Sequence, residues 1–261
     1  GAFVVTNDPT ISACGELGVN TETYVLNQAV ADVSTCFVIV NNSVNLDCRG
    51  YNVSFGTAGG ASYGILNNGG YDNLTVRNCA LRSGNGAATG EGIAIHIADS
   101  AAGSHNNTIN NNTMIINNPT ASNYALGLYG VVNSNITNNN ITLNGTSTLY
   151  GIIANVGAQN NTIRNNTIAM QATGSTAWGI RLVTTEDNFN TMINNSFRIN
   201  ASNTANGIRV DSFNNSMINN SIVTNGTTSA NYGILVLSVS GNYLEGNHIR
   251  TDGTGANYPI F

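Results

Sequence analysis

Tyr150-Gly151-Ile152 opens a stretch that closes with Asn161-Thr162-Ile163-Arg164-Asn165-Asn166-Thr167-Ile168. The chain then repeats the pattern. Trp178-Gly179-Ile180 leads to Asn190-Thr191-Met192-Ile193-Asn194-Asn195-Ser196-Phe197, and Asn206-Gly207-Ile208 leads to Asn215-Ser216-Met217-Ile218-Asn219-Asn220-Ser221-Ile222. The glycines at 151, 179 and 207 stand 28 residues apart, a period that belongs to solenoids. Further copies open at Tyr63-Gly64-Ile65, Glu91-Gly92-Ile93, Leu126-Gly127-Leu128 and Tyr232-Gly233-Ile234, and a degenerate one runs from Cys36-Phe37-Val38-Ile39-Val40 to Cys48. The array amounts to roughly eight coils of one domain.

Within a copy the apolar segments are short, alternate with polar residues and favour Ile, Val and Thr, which suits strands. No segment holds a 3.6-residue period over three turns, so helices are not expected. Gly and Asn recur every few residues, as corners with positive φ require. Strands that lack hairpin partners must pair with the same segment one coil away, at a spacing of about 4.8 Å. The expected fold is therefore all-β: a single right-handed parallel β-helix over 36–261, with residues 1–35 as an N-terminal strand and capping segment. Asn112, Asn139, Asn166, Asn195, Asn220 and Asn247 align as a column. We expect their stacked amides to form an internal ladder and to hold the turn in the left-handed conformation.

These copies, above all the first coil from Cys36-Phe37-Val38-Ile39 through Leu46-Asp47-Cys48-Arg49-Gly50-Tyr51-Asn52-Val53, resemble the right-handed parallel β-helix family of secreted proteins. That family includes NosD-type periplasmic proteins and carbohydrate-binding or sugar-hydrolysing modules. The resemblance spans roughly residues 36–250. It implies a fold rather than one chemistry.

Composition narrows the partners. The chain has no lysine, eight arginines, a net charge of −5 and only 8% charged residues, against a usual share of about 25%. This argues against nucleic acid or an anionic membrane as partner. No apolar run approaches the ~18 residues of a membrane span. The start at Gly1 is read as a processed product. Asn-x-Ser/Thr triplets abound, by chance or as glycosylation sites in a chain so rich in these residues. The candidate acceptors are Asn41, Asn52, Asn73, Asn106, Asn135, Asn140, Asn144, Asn160, Asn200, Asn214 and Asn225. Asn111, Asn165, Asn194 and Asn219, inside the Asn-Asn corners, are expected to be buried or half-buried and to be poor acceptors. All four cysteines lie in the first third. Cys48 and Cys79 occupy equivalent corners of adjacent coils, and Cys14 and Cys36 flank the segment entering the first coil, so two disulfides are expected. They imply an oxidising, extracellular or cell-surface setting. No Cys-x-x-Cys pair supports a metal site.

Catalytic candidates are sparse. The densest set is Arg181, Glu186, Asp187, Arg209 and Asp211, read first as an ion-pair network and second as a uronate-binding or catalytic site. Glu91, His96, Asp99 and His105 fall in the one enlarged coil, with an inserted loop around Pro119, and are read as loop polarity rather than a metal site. Tyr63, Tyr150, Trp178 and Tyr232 precede the Gly-Ile pair. Alternation counted from the inward Ile places them on the core side as stacked, partly buried rings. Both ends are apolar: Phe3, Val4 and Val5 at one, Tyr258, Ile260 and Phe261 at the other. The expectation drawn from this is a non-enzymatic, glycosylated structural protein without cofactor or metal, assembling end to end with copies of itself into fibres. The alternative is a carbohydrate-binding or polysaccharide-degrading secreted β-helix, with carbohydrate as the partner.

Overall fold

A computed structural model describes residues 9–19, 23–57, 60–84, 91–98, 103–117, 122–237 and 239–261. The short alternating segments form three long parallel sheets of ten, nine and ten strands, here A, C and B in the order the chain visits them, and a two-stranded parallel pair of Ser104–His105 with Val131–Val132. One coil shows the plan. Thr162–Arg164 lies in sheet A, Thr167–Ala172 in sheet C and Ala177–Leu182 in sheet B. Each pairs in parallel with the matching strand of the next coil. This is the right-handed parallel β-helix expected from the repeat, with no helix among the described residues.

The register explains which repeat positions are apolar. Ile136, Ile163, Met192 and Met217 stack in sheet A, Ile141, Ile168, Phe197 and Ile222 in sheet C, and Ile152, Ile180, Ile208 and Ile234 in sheet B. All twelve are buried, forming one core that runs the length of the rod. The glycine before each sheet B isoleucine is a packing requirement. A Cβ on Gly179 would lie 2.5 Å from Gly207 O and 2.6 Å from Phe197 Cδ1.

The asparagine column forms a continuous ladder of hydrogen bonds at the corner between sheets A and C. Asn139 Oδ1 accepts from the backbone N–H (3.0 Å) and Nδ2 (3.1 Å) of Asn112. Asn139 Nδ2 donates to Ile109 O (2.9 Å) and to Asn166 Oδ1 (3.0 Å). The pattern repeats through Asn166, Asn195 and Asn220 to Asn247. A second ladder, not read from the sequence, runs along the corner before sheet A through Asn107, Ser134, Asn161, Asn190, Asn215 and Asn242. The left-handed turn residue is not the ladder asparagine but the one before it. Asn111, Asn138, Asn165, Asn194 and Asn219 have φ of 53–58°. The division of labour within Asn-Asn is physical: the left-handed residue points its side chain outward, and the next turns inward. Consequently Asn111, Asn165, Asn194 and Asn219 are exposed rather than buried.

Both disulfides are present, Cys14–Cys36 and Cys48–Cys79, each with a Cα separation of 4.7 Å, one coil step. Cys79 stands in the ladder's own column, and its backbone N–H donates to Asn112 Oδ1 at 2.9 Å. The sheets extend into the first thirty-five residues. Thr10–Ile11 and Thr23–Leu26 join sheet A, Gly15–Leu17 joins sheet B and Val30–Ala31 joins sheet C. At the other end Asn257–Ile260 is the last strand of sheet B, paired with Asn231–Val236. Pro259 there holds the place of the repeat glycine, on an edge strand where no further partner needs its missing N–H. Among the described residues no helix is long and apolar enough to cross a membrane.

Candidate functional site

The outer face of sheet B gathers the aromatic and cationic side chains. Tyr124, Tyr150, Trp178, Asn206, Tyr232 and Tyr258 are in register on successive strands. A second column three residues further on holds His96, Gly127, Ile153, Arg181, Arg209 and Leu235. The pairing passes from Tyr150↔Trp178 to Ile152↔Ile180 and skips the glycine between. That irregular step resets the alternation. The ring therefore lies on the side opposite the isoleucine, outside the rod, and the core-facing placement counted straight through the glycine is corrected. A glycine inside a strand was the available signal of such a step.

Trp178 sits beneath two guanidinium groups. Arg181 Cζ lies 5.1 Å and Arg209 Cζ 5.0 Å from its ring centroid, and Arg181 Cζ lies 5.9 Å from the Tyr150 ring. Both distances to the indole are within cation–π range. One carboxylate serves both cations. Asp211 Oδ1 accepts from Arg209 Nε at 2.9 Å, while Asp211 Oδ2 is 4.0 Å from Arg181. Arg181 also donates to Tyr150 OH at 3.4 Å. These side chains are 17–22% exposed: solvent reaches them, yet their field is less screened than that of a free surface pair. Two guanidiniums facing one carboxylate leave this patch cationic on a chain of net charge −5. Arg181 Nε, and both amide atoms of Asn206 next to Trp178 in the register, are buried without a hydrogen-bond partner.

The structure splits the five-residue polar set. Arg181, Arg209 and Asp211 come together, whereas Glu186 is exposed on the following turn. Asp187 is buried, and its two oxygens accept from the backbone N–H groups of Gly157, Ala158, Val183 and Thr184 at 2.7–3.0 Å. Burial pushes its carboxyl above the usual range, opposed by hydrogen bonding from Thr184, Ala158 and Val183. Asp187 is the staple of a turn, not a surface charge.

Two to four strands from Arg181 on the same face lies a titratable group of residues. The His96 ring is held between Tyr63 (5.3 Å) and Tyr129 (5.2 Å), and burial lowers its pKa below the ordinary histidine value. Tyr124 donates to Glu91 Oε1 at 2.8 Å. Burial, then that hydrogen bond and the Glu91 charge, push the Tyr124 phenol well above its ordinary value. His105 does not join this group. It pairs with Asp72 at 3.1 Å, while Asp99 and the loop around Pro119 lie outside the described residues. Among the described residues no cluster of three His, Cys, Asp or Glu side chains is placed to hold a metal ion.

Of the acceptor asparagines, Asn52, Asn73, Asn106, Asn135, Asn140, Asn144, Asn160, Asn214 and Asn225 are exposed, and Asn41 and Asn200 are half-buried. Phe3, Val4 and Val5 lie outside the described residues. Tyr258, Ile260 and Phe261 are exposed, and the Tyr258 ring stacks on Tyr232 at 5.3 Å with Phe261 edge-on to both.

No protein-family model matches the sequence, and no curated protein does. One solved structure is similar in fold, the A-module of a mannuronan C-5 epimerase from Azotobacter vinelandii. It is 11% identical, with a TM-score of 0.41, over 97% of this chain and 91% of that one. The parallel β-helix rests on the strand register, and a likeness at this TM-score adds nothing finer, NosD-type membership included. It is nevertheless a likeness to an enzyme, and the expectation of a non-enzymatic, fibre-forming structural protein is withdrawn on that finding.

Proposed function

We propose that this chain is a secreted, carbohydrate-active β-helix that holds an anionic polysaccharide lengthwise on the outer face of sheet B. The observation that carries the reading is the pair of guanidiniums stacked on Trp178 and sharing a single carboxylate. Flat aromatic faces suit pyranose rings, and guanidinium forks suit carboxylates. Strand spacing of about 4.8 Å repeats these groups at intervals comparable to one sugar residue. The two disulfides fit an oxidising compartment.

Trp178 is the only tryptophan, so its fluorescence reports this face alone. Titration with galacturonic, guluronic and mannuronic acid oligosaccharides should change its emission, and an uncharged oligosaccharide of equal length should bind more weakly. Arg209→Ala should weaken uronate binding about tenfold, the loss of one charge-assisted contact, while leaving the denaturation midpoint nearly unchanged. A wild-type emission indifferent to every acidic oligosaccharide would sink the reading.

Turnover of the bound polymer is a second reading, favoured by the Tyr63–His96–Tyr129 stack with Glu91 and Tyr124 on the same face. A neutral imidazole is the form that accepts a proton, and burial favours it here. His96 stands three strands from Arg181, about 14 Å at the usual strand spacing. New chain ends or altered sugars after incubation, lost in His96→Ala, would establish turnover. An unchanged polymer would leave binding alone.

A further inference from the structure

We infer that Asn206 is a specificity-determining residue for this polysaccharide, its amide held in reserve until an acidic sugar displaces Asp211 from Arg209; the inference rests on the reading above. Asn206 is fully buried, and neither its Nδ2 nor its Oδ1 has a partner. The contrast with the other buried asparagines is sharp. Those of the two ladders are bonded, as are Asn67, Asn123 and Asn231 beside sheet B. A buried amide with no partner costs stability, and its retention asks for a reason.

Its place in the fold supplies one. Asn206 stands in register between Trp178 and Tyr232, the one amide in an aromatic column. On its strand, Asn206 and Arg209 occupy the positions that Trp178 and Arg181 hold on the strand before. Arg209 is fixed by its bond to Asp211 at 2.9 Å. A ligand carboxylate offers the same acceptor geometry as Asp211 and competes for the same guanidinium. When it takes Arg209, the amide beside it gains access to the same sugar. One acceptor oxygen and one donor nitrogen match a pair of adjacent ring hydroxyls. Carboxylate on Arg209 and hydroxyls on Asn206 together select a uronate over a neutral hexose or a simple anion.

The test pairs a melt with a titration, using the tightest oligouronate of the panel. Asn206→Leu should raise Tm, because an unpaired amide is replaced by an apolar group of similar size, and should weaken binding by tenfold or more. Asn206→Ala, the smaller change, should weaken binding equally. Asp211→Asn, which frees Arg209, should tighten it. A lower Tm in Asn206→Leu would show that the amide has a structural partner and overturn the inference, as would unchanged affinity in both Asn206 variants. Failure of the wild-type chain to bind would overturn the polysaccharide reading and this inference together; unchanged variants with a binding wild type would overturn this inference alone.

Discussion

The corners and the outer face of sheet B treat polar groups in opposite ways. At the corners every rung is paired: Asn166 Oδ1 accepts twice from Asn139, and Asn166 Nδ2 donates to Ile136 O and Asn195 Oδ1. On sheet B, Arg181 Nε, His96 Nδ1 and both Asn206 amide atoms are buried and unpaired. Both regions are built from the same repeat, the ladders in the turns before sheets A and C and the unpaired groups on the strands of sheet B. The difference separates polarity that maintains the rod from polarity available to something else. Buried groups that fold a protein are satisfied within it, and departures gather where a ligand completes the set.

The largest expected effect tests the corner. Asp187→Ala removes the acceptor from four backbone N–H groups in a buried turn, and should lower unfolding free energy by about 3–5 kcal/mol, read as the denaturant midpoint. A loss below about 1 kcal/mol would mean that water reaches those donors. Next is Asn166→Ala, which strands the N–H of Asn139 and takes one partner each from Asn139 Nδ2 and the Ile136 carbonyl; about 2–3 kcal/mol should go. An unchanged midpoint would show that one rung is dispensable and that the ladder is not cooperative.

A smaller and opposite effect is expected where the corner breaks its own rule. Phe189 has φ of 60° and is exposed, at the position where other coils place Asn133, Asn160 or Asn214 at 55–56°. Phe189→Asn should therefore stabilise the chain by about 1 kcal/mol, asparagine tolerating this conformation better. Destabilisation would give the ring a packing role. The smallest effect belongs to sheet B. Because burial depresses His96, the unfolded chain takes up a proton at higher pH than the folded one. Stability should fall as pH drops below the ordinary histidine pKa of about 6.5 and level off once the folded imidazole is also protonated. His96→Gln should flatten that slope, and an equal slope in the variant would show that His96 does not carry it.

The sequence made the fold legible because one period governs everything. Each coil repeats its Ile, Gly and Asn at fixed offsets, and the disulfides follow from equivalent corners. It was misleading where one residue changes the local count. The glycine step in sheet B moved Trp178 from core to surface, and the left-handed Asn165 took the exposed place assigned to burial. The second ladder was hidden because Ser134 interrupts its asparagines. Arg181, Arg209 and Asp211 were visible as a cluster, but Asn206 was not. Nothing in an Asn-Gly-Ile triplet tells whether its amide is paired.

The ladder also has a direction. Each new amide oxygen closes the two donors left open by the coil before it, and its own nitrogen reaches back to a carbonyl one coil behind. A rod interrupted after any coil therefore leaves the same open donors, however long it is, while Cys48–Cys79 covers the head where no earlier amide exists. The number of coils is then a free variable of the design. Whole repeats can be gained or lost by duplication or deletion without altering the chemistry at either terminus, and the outer face of sheet B lengthens or shortens in step, one strand spacing at a time.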